Sequence, residues 1–251
     1  MAAGVEGVVV DWERKGKVER QARADTQIGC DTLADLRRIR AATHARVLCR
    51  INGYGPWTAR EVQEAVGEGV DELLLPMVRG PEEVRGVLDL AGGRCGVGIL
   101  VETLDAVARA AELARLPLAR AYLGLNDLAI ERQSGSIFAA VADGTLERAR
   151  RPFDVPFGFG GLTLPERGVP IPCRLLMGEM GRLGCRYSFL RRSFHRDVQG
   201  RELAVEIPRL LESLRALASR SPLEVEAERL ALRRAIADLE ASGAPALQAV
   251  R

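Results

Sequence analysis

Aromatic side chains are scarce in this chain, at 4% of 251 residues, and the formal charge of +2 lies close to balance. A nucleic-acid binder would carry a general cationic excess and rings for base stacking, so no nucleic-acid partner is expected. Histidine is scarcer still, with only His44 and His195, which leaves few imidazoles for proton or metal chemistry. The five cysteines (Cys30, Cys49, Cys95, Cys173 and Cys185) form no CxxC pair and are odd in number. No secretory signal precedes them, so reduced thiols and a cytoplasmic location are expected, not a disulfide framework. No apolar run approaches the roughly 20 residues that span a bilayer, so no membrane segment is expected.

What is present is an ordinary globular composition, 47% hydrophobic and 28% charged, arranged in a repeating pattern. Short apolar runs predict strands at Gly7–Asp11, Arg46–Ile51, Glu72–Pro76, Gly96–Val101, Ala121–Leu125, Phe157–Leu162 and Arg186–Leu190. Most are continuous rather than alternating, the mark of parallel strands covered on both faces. Amphipathic stretches such as Thr58 to Glu68 and Leu104 to Leu116 lie between them. Strand ends recur about every 25 to 40 residues, as successive βα units do. The expected fold is α/β, a TIM-like (β/α)8 barrel. Only seven strands are legible, so either the first βα unit is lacking or one strand is unread. An incomplete barrel would leave two edges that need cover.

After Arg201 the pattern is helical only. Ser221-Pro222-Leu223-Glu224 combines a Ser N-cap, Pro at the first helical position and Glu three residues after the cap. The helix it opens, with Val225, Leu232, Ile236 and Leu239 apolar, is expected to stop near Gly243 and Pro245. The chain thus divides into a barrel domain over 1–200, carrying the chemistry, and a C-terminal helical extension over 201–251. That extension could cap its own barrel or reach a neighbouring subunit of a homo-oligomer, and the second is favoured slightly.

Two carboxylates stand just past strand-like runs, in Leu100-Val101-Glu102-Thr103 and Gly124-Leu125-Asn126-Asp127-Leu128. If those strands are parallel neighbours, Glu102 and Asp127 emerge at one rim. Two hard oxygen ligands at one mouth suit Mg2+, which takes few protein carboxylates and keeps places for substrate and water.

Five segments in order, Val8-Val9-Val10-Asp11-Trp12-Glu13, Cys49-Arg50-Ile51-Asn52, Leu74-Leu75-Pro76, Val101-Glu102-Thr103 and Gly124-Leu125-Asn126-Asp127-Leu128, resemble the class II pyruvate-dependent aldolase and citrate lyase beta-subunit family. The resemblance covers residues 5 to 135 well and runs more loosely to 197. It implies a barrel of the phosphoenolpyruvate/pyruvate type, with Mg2+ or Mn2+ on the carboxylates matching Glu102 and Asp127. The metal would chelate a small 2-oxo acid, and Arg50 would face its keto oxygen. It also implies that Asp11 and Glu13 lie near the metal or its waters and take part in catalysis. The residues by themselves equally allow a rim salt bridge of that pair with Arg14, Lys15 or Lys17.

The implied chemistry passes through an enolate, whose charge grows on one oxygen. A Lewis-acid metal and a fixed guanidinium stabilise that charge more in the transition state than in the ground state. Arginine suits the role because it keeps its proton and presents a rigid fork. The sequence departs from the family at two places. Arg14 stands where many members have a proton-transfer histidine, which leaves the general base open, and Met77 stands where citrate-lyase-like members tend to have lysine. His44 is expected on the opposite rim, exposed, and His195 in an exposed loop on the active side.

Two later segments bear on a second substrate. Phe157-Gly158-Phe159-Gly160-Gly161 ends one strand in glycines, and Arg191-Arg192-Ser193-Phe194-His195-Arg196 ends the next in positive charge. Loops after the last barrel strands often bind phosphate through backbone N–H groups and cations. Gly160, Arg191 and Arg192 are therefore candidate contacts to an anionic aldehyde or thioester, against a plain basic surface face. Two alternatives stand beside the aldolase reading: a malyl-CoA-like acyl-thioester lyase or thioesterase, and a barrel without turnover acting as a binding or scaffold subunit.

Overall fold

A computed structural model of the protein describes residues 4–17 and 29–242. Six parallel strands form one sheet in sequential order: β1 (Gly7–Asp11), β2 (Arg46–Arg50), β3 (Glu72–Leu75), β4 (Gly96–Val101), β5 (Arg120–Leu123) and β6 (Phe157–Phe159). Two short strands, β7 (Gly161–Leu162) and β8 (Phe189–Leu190), pair separately and are also parallel. The helices follow as α1 (Leu33–Ala42), α2 (Thr58–Gly67), α3 (Pro81–Ala91), α4 (Leu104–Ala108), α5 (Ala110–Leu113), α6 (Leu125–Glu131), α7 (Ala139–Ala142), α8 (Thr145–Arg150), α9 (Cys173–Arg182), α10 (Arg192–Asp197), α11 (Leu203–Ala218) and α12 (Pro222–Ala241). Among the described residues this is a half-barrel, and the closed eight-stranded barrel expected from the sequence is not formed.

Alternation along the strands divides the sheet into two faces. One face, with Val10, Val47, Cys49, Leu73, Leu75, Val97, Ile99, Ala121, Leu123, Phe157 and Phe159, is buried and belongs to the main core under the helices. The other carries Asp11, Leu48, Arg50, Glu72, Leu74, Gly98, Leu100, Tyr122, Gly124 and Gly158, and lines the lumen. The lumen is not sealed on the β1 side. Val9 sits on the lumen face of β1 and is 38% exposed, where a closed small barrel would fill its interior with side chains.

Local sequence sets several boundaries. Thr32 and Asp35 form a reciprocal capping box on α1, and Thr103 Oγ1 accepts the Ala106 N–H to start α4. Pro81 at the first position of α3 and left-handed Gly92 after its end bracket that helix. The capping box expected at Ser221 and Glu224 is present. The stop expected at Gly243 and Pro245 lies outside the described residues.

The sixth expected strand, Phe157–Leu162, is two strands, because Gly160 turns into the left-handed region at φ +51°. The expected Arg186–Leu190 shortens to β8. The expected end of the fifth strand at Leu125 is also corrected: β5 stops at Leu123, and Leu125 opens α6.

The C-terminal helices α11 and α12 pack on α9. Leu232 and Ile236 of α12 and Ile207, Leu210 and Leu217 of α11 join the main core. Arg220 and Arg174 both pair with Glu228 across these helices. A Cβ added to Gly4, just ahead of β1, would lie 3.4 Å from Leu211, so α11 borders the open side of the half-barrel.

Candidate functional site

Parallel register carries strand ends to one rim. Asp11 is paired with Arg50 in the β1–β2 ladder, and Val101 with Leu123 in the β4–β5 ladder. Asp11 and Arg50 end their strands, Glu102 follows β4 directly, and Asp127 is the third residue of α6. The structure thus brings Asp11, Glu13, Arg50, Glu102 and Asp127 to the carboxyl end of the sheet, where open α/β sheets place their ligand sites.

Arg50 is gripped from one side. Its Nε donates to Asp11 Oδ1 at 2.8 Å and its Nη2 to Asp11 Oδ2 at 2.6 Å, a two-pronged carboxylate fork. Its Nη1 lies 3.2 Å from Glu13 Oε2. Burial works against its charge, but Asp11, Glu13 and Glu102 outweigh it and raise its pKa. Burial likewise pulls the Asp11 pKa upward, and the Arg50 fork and Lys17 hold it below the usual range.

Lys17 is the residue the sequence offered only as a rim partner. It is buried, and its Nζ donates to Glu13 Oε2 at 2.9 Å and lies 3.7 Å from Asp11 Oδ2. The ion pair and the site are one cluster, so the two sequence readings of Asp11 and Glu13 do not compete.

Asn52 fixes the loop that carries Glu13. Its Oδ1 accepts the backbone N–H groups of Arg14 and Lys15 at 2.8 and 2.7 Å. Its own N–H and side-chain amide donate to Glu61 of α2 at 3.0 and 2.7 Å. Arg14 turns outward, exposed, with Nη2 on the Asp31 carbonyl. Sequence reasoning missed Asn52 and Glu61 as supports, although Asn52 was part of a recognised segment.

Glu102 is buried beside like charge. Its Oε1 accepts the Met77 N–H at 2.9 Å, and Met77 adopts a left-handed backbone at φ +55°, so Met77 contributes to the site through its main chain. Burial first, then the charges of Asp127 and Glu13, push the Glu102 carboxyl up to about 8, against the pull of the Met77 N–H and Arg50. Gly124 makes room for it: a Cβ there would lie 2.2 Å from Glu102 Oε2.

Among the described residues no set of three or more His, Cys, Asp or Glu side chains is arranged to hold a metal ion. The donor set on offer is the pair Glu102 and Asp127, whose mutual repulsion in a buried place a divalent cation would relieve. That fits a hard ion that keeps most of its coordination for water and substrate. Defined concavities lie elsewhere, one of about 460 Å³ beside Val107 and Arg148 and one of about 500 Å³ between α9, α11 and α12. Neither gathers buried ionised groups as the mouth does, so the mouth is the better candidate.

The remaining candidates spread around the far rim. Gly160 lies between β6 and β7, and its carbonyl accepts from Tyr122 Oη and Ser188 Oγ, both at 2.6 Å. Arg191 is half-buried at the start of α10, and Arg192 is exposed. His195 and His44 are both exposed.

No family model and no curated protein sequence matches the chain. Among solved structures it is similar to RipC from Yersinia pestis, with a TM-score of 0.55 and 12% identity over 88% of this chain and 93% of that one. It is also similar to the citrate synthase SbnG, with a TM-score of 0.56 and 15% identity over 86% of this chain and 84% of that one. At these identities the likeness establishes a shared fold and no more. No helix among the described residues is long and apolar enough to cross a membrane.

Proposed function

We propose that the protein is a divalent-metal-dependent carbon–carbon lyase or aldolase acting through a pyruvate-type enolate. The observation that carries this reading is a pair of acids, Glu102 and Asp127, close enough to raise the Glu102 pKa, beside a guanidinium fixed by Asp11 and Glu13. A citrate synthase among the solved structures of similar fold supports carbon–carbon chemistry on a carboxylic acid.

Glu102 and Asp127 would hold the ion, Mg2+ or Mn2+, which when bound supplies Lewis-acid stabilisation of developing negative charge on oxygen. Arg50 adds a second stabilising charge. Asp11 engages Nε and one Nη2 hydrogen, and Glu13 lies 3.2 Å from Nη1, so the remaining terminal N–H groups would donate toward a keto oxygen. When the bond between the carbons α and β to the keto group breaks, its electron pair forms the enolate C=C bond and the carbonyl π pair moves onto the keto oxygen. The β-hydroxyl gives up its proton to become the aldehyde, and Arg50 would meet the charge on the keto oxygen. Asp11 and Glu13 hold the guanidinium in place, and Lys17 in turn pairs with both carboxylates. Arg14, bonded to the Asp31 carbonyl, takes no part.

The test is proton exchange. With Mg2+ or Mn2+ and pyruvate in D2O, NMR should show loss of the methyl protons, and Glu102→Gln should slow that loss by about a thousand-fold, equivalent to roughly 4 kcal/mol. Mg2+ should also raise the melting temperature of the wild type and not that of Glu102→Gln. Neither exchange nor a thermal shift with any divalent ion would replace this reading with that of a binding or scaffold subunit.

A further inference from the structure

We propose that Arg191 binds the anionic group, a carboxylate or a phosphate, of the second substrate; this rests on the enolate reading above. Arg191 is anchored but not neutralised. Its backbone N–H donates to the Leu162 carbonyl at 2.9 Å, and its Nε donates to Ser193 Oγ at 2.8 Å. The carboxylate whose charge reaches it, Asp197, is engaged by Thr163 Oγ1 at 2.5 Å and by Arg196 at 3.4 Å. No carboxylate among the described residues lies within ion-pair distance of the Arg191 guanidinium. Other arginines nearby behave differently: Arg201 and Arg209 both pair with Glu166, and Arg196 pairs with Asp197. Burial lowers the Arg191 pKa, in contrast to the upward shift of paired Arg50 and Arg201.

The terminal amino groups of Arg191 are neither hydrogen-bonded in the protein nor among the buried atoms left without a partner, so they face solvent. Those four N–H groups form the planar fork that recognises carboxylate or phosphate. Glycines clear its surroundings. A Cβ on Gly161 would lie 2.3 Å from Arg191 Cβ, and one on Gly168 would lie 3.0 Å from its Nη2. Arg191 directly follows β8, which runs parallel to β7, so it leaves its strand at a carboxyl end, as Glu102 leaves β4. The acceptor's charge is expected at this arginine and the nucleophile at the paired acids. Arg192, exposed on the next turn, is not needed for this.

The experiment compares acceptors for pyruvate addition: succinic semialdehyde for a carboxylate, glyceraldehyde 3-phosphate for a phosphate, and propionaldehyde with no charge. The wild type should favour one anionic aldehyde over propionaldehyde in kcat/KM by about ten- to a hundred-fold, the scale of a charge-assisted hydrogen bond. Arg191→Gln should collapse that ratio through KM, and Arg191→Lys should restore part of it. A wild-type ratio near one, or a ratio that survives Arg191→Gln, overturns the proposal. Absence of both pyruvate exchange and propionaldehyde turnover would instead remove the enolate reading. Calorimetric titration with succinate and with inorganic phosphate then decides the arginine by itself: saturable binding lost in Arg191→Gln upholds an anion site, and equal or absent binding in both proteins ends it.

Discussion

The lumen carries a buried glutamate at each end, and the two are treated differently. Glu72 opens β3 at the amino end. Arg120 Nε donates to it at 2.5 Å, Arg46 lies 3.8 Å away, and the Arg120 guanidinium stacks on Tyr187 at 4.7 Å. Glu102 follows β4 at the carboxyl end. It receives one backbone N–H and, among the described residues, no cation within bonding distance. Two residues of one chemistry, both nearly inaccessible, thus serve as an ion-paired plug and as an acid whose ionisation burial and its neighbours oppose. Burying an ionised group without compensation is costly, and such a cost is commonly borne where a ligand will offset it.

The contrast can be broken first at the plug. Glu72→Gln should leave the Arg120 charge buried without its partner and cost about 3–5 kcal/mol in denaturant unfolding, while Mg2+ binding in the surviving fold is retained. Equal loss of stability and metal binding would show that the two ends are not separate. At the mouth, Arg50→Lys keeps the charge but cannot reproduce the fork to Asp11. Pyruvate exchange should fall by about a hundred-fold or more, roughly 3 kcal/mol, and a rate within a few-fold of wild type would remove Arg50 from the oxyanion role.

A smaller effect is expected at Asn52→Ala, which frees the Arg14 and Lys15 N–H groups and unfixes the Glu13 loop. Stability should drop by about 1–3 kcal/mol, and the exchange rate should fall further than that loss of folded protein explains. The mildest effect is with pH. The Glu102 pKa is raised, so its contribution to apo stability is full below the ordinary glutamate value and is lost as pH rises through about 8. A cation competes with that proton, so Mg2+ affinity should climb with pH up to about 8 and then level off. Glu102→Gln should flatten both trends, and a wild-type affinity independent of pH across this window would contradict the assignment.

Much of the fold was legible because β1 to β5 are short apolar runs, and the central ones, β3 and β4, are covered on both faces as parallel strands require. Glu102 could be placed from sequence because it follows such a run directly. Asp127 could be placed only roughly, since Leu125 looks like a strand residue and is the first of a helix. The break in the sixth strand was hidden because Gly160 reads as one glycine among several, and the hydroxyls that bond its carbonyl come from Tyr122 and Ser188, 38 and 28 residues away. Lys17, Asn52 with Glu61, and Glu72 with Arg120 act through partners 4 to 48 residues away. Which charge meets which partner is decided by the ladder register and not by spacing along the chain. The closure of the barrel was over-read for a related reason: local patterns count strands but do not join the last one to the first.

Gly124 gives the molecule a single-atom vulnerability. Its backbone, at φ −81° and ψ 105°, is one that alanine adopts freely, yet a methyl group there would stand 2.2 Å from Glu102 Oε2 and 2.9 Å from Glu102 Cβ. The smallest possible enlargement of the chain would drive the carboxylate from its place and press the ends of β4 and β5 apart, so the acid's position and the spacing of two strands hang on one missing carbon.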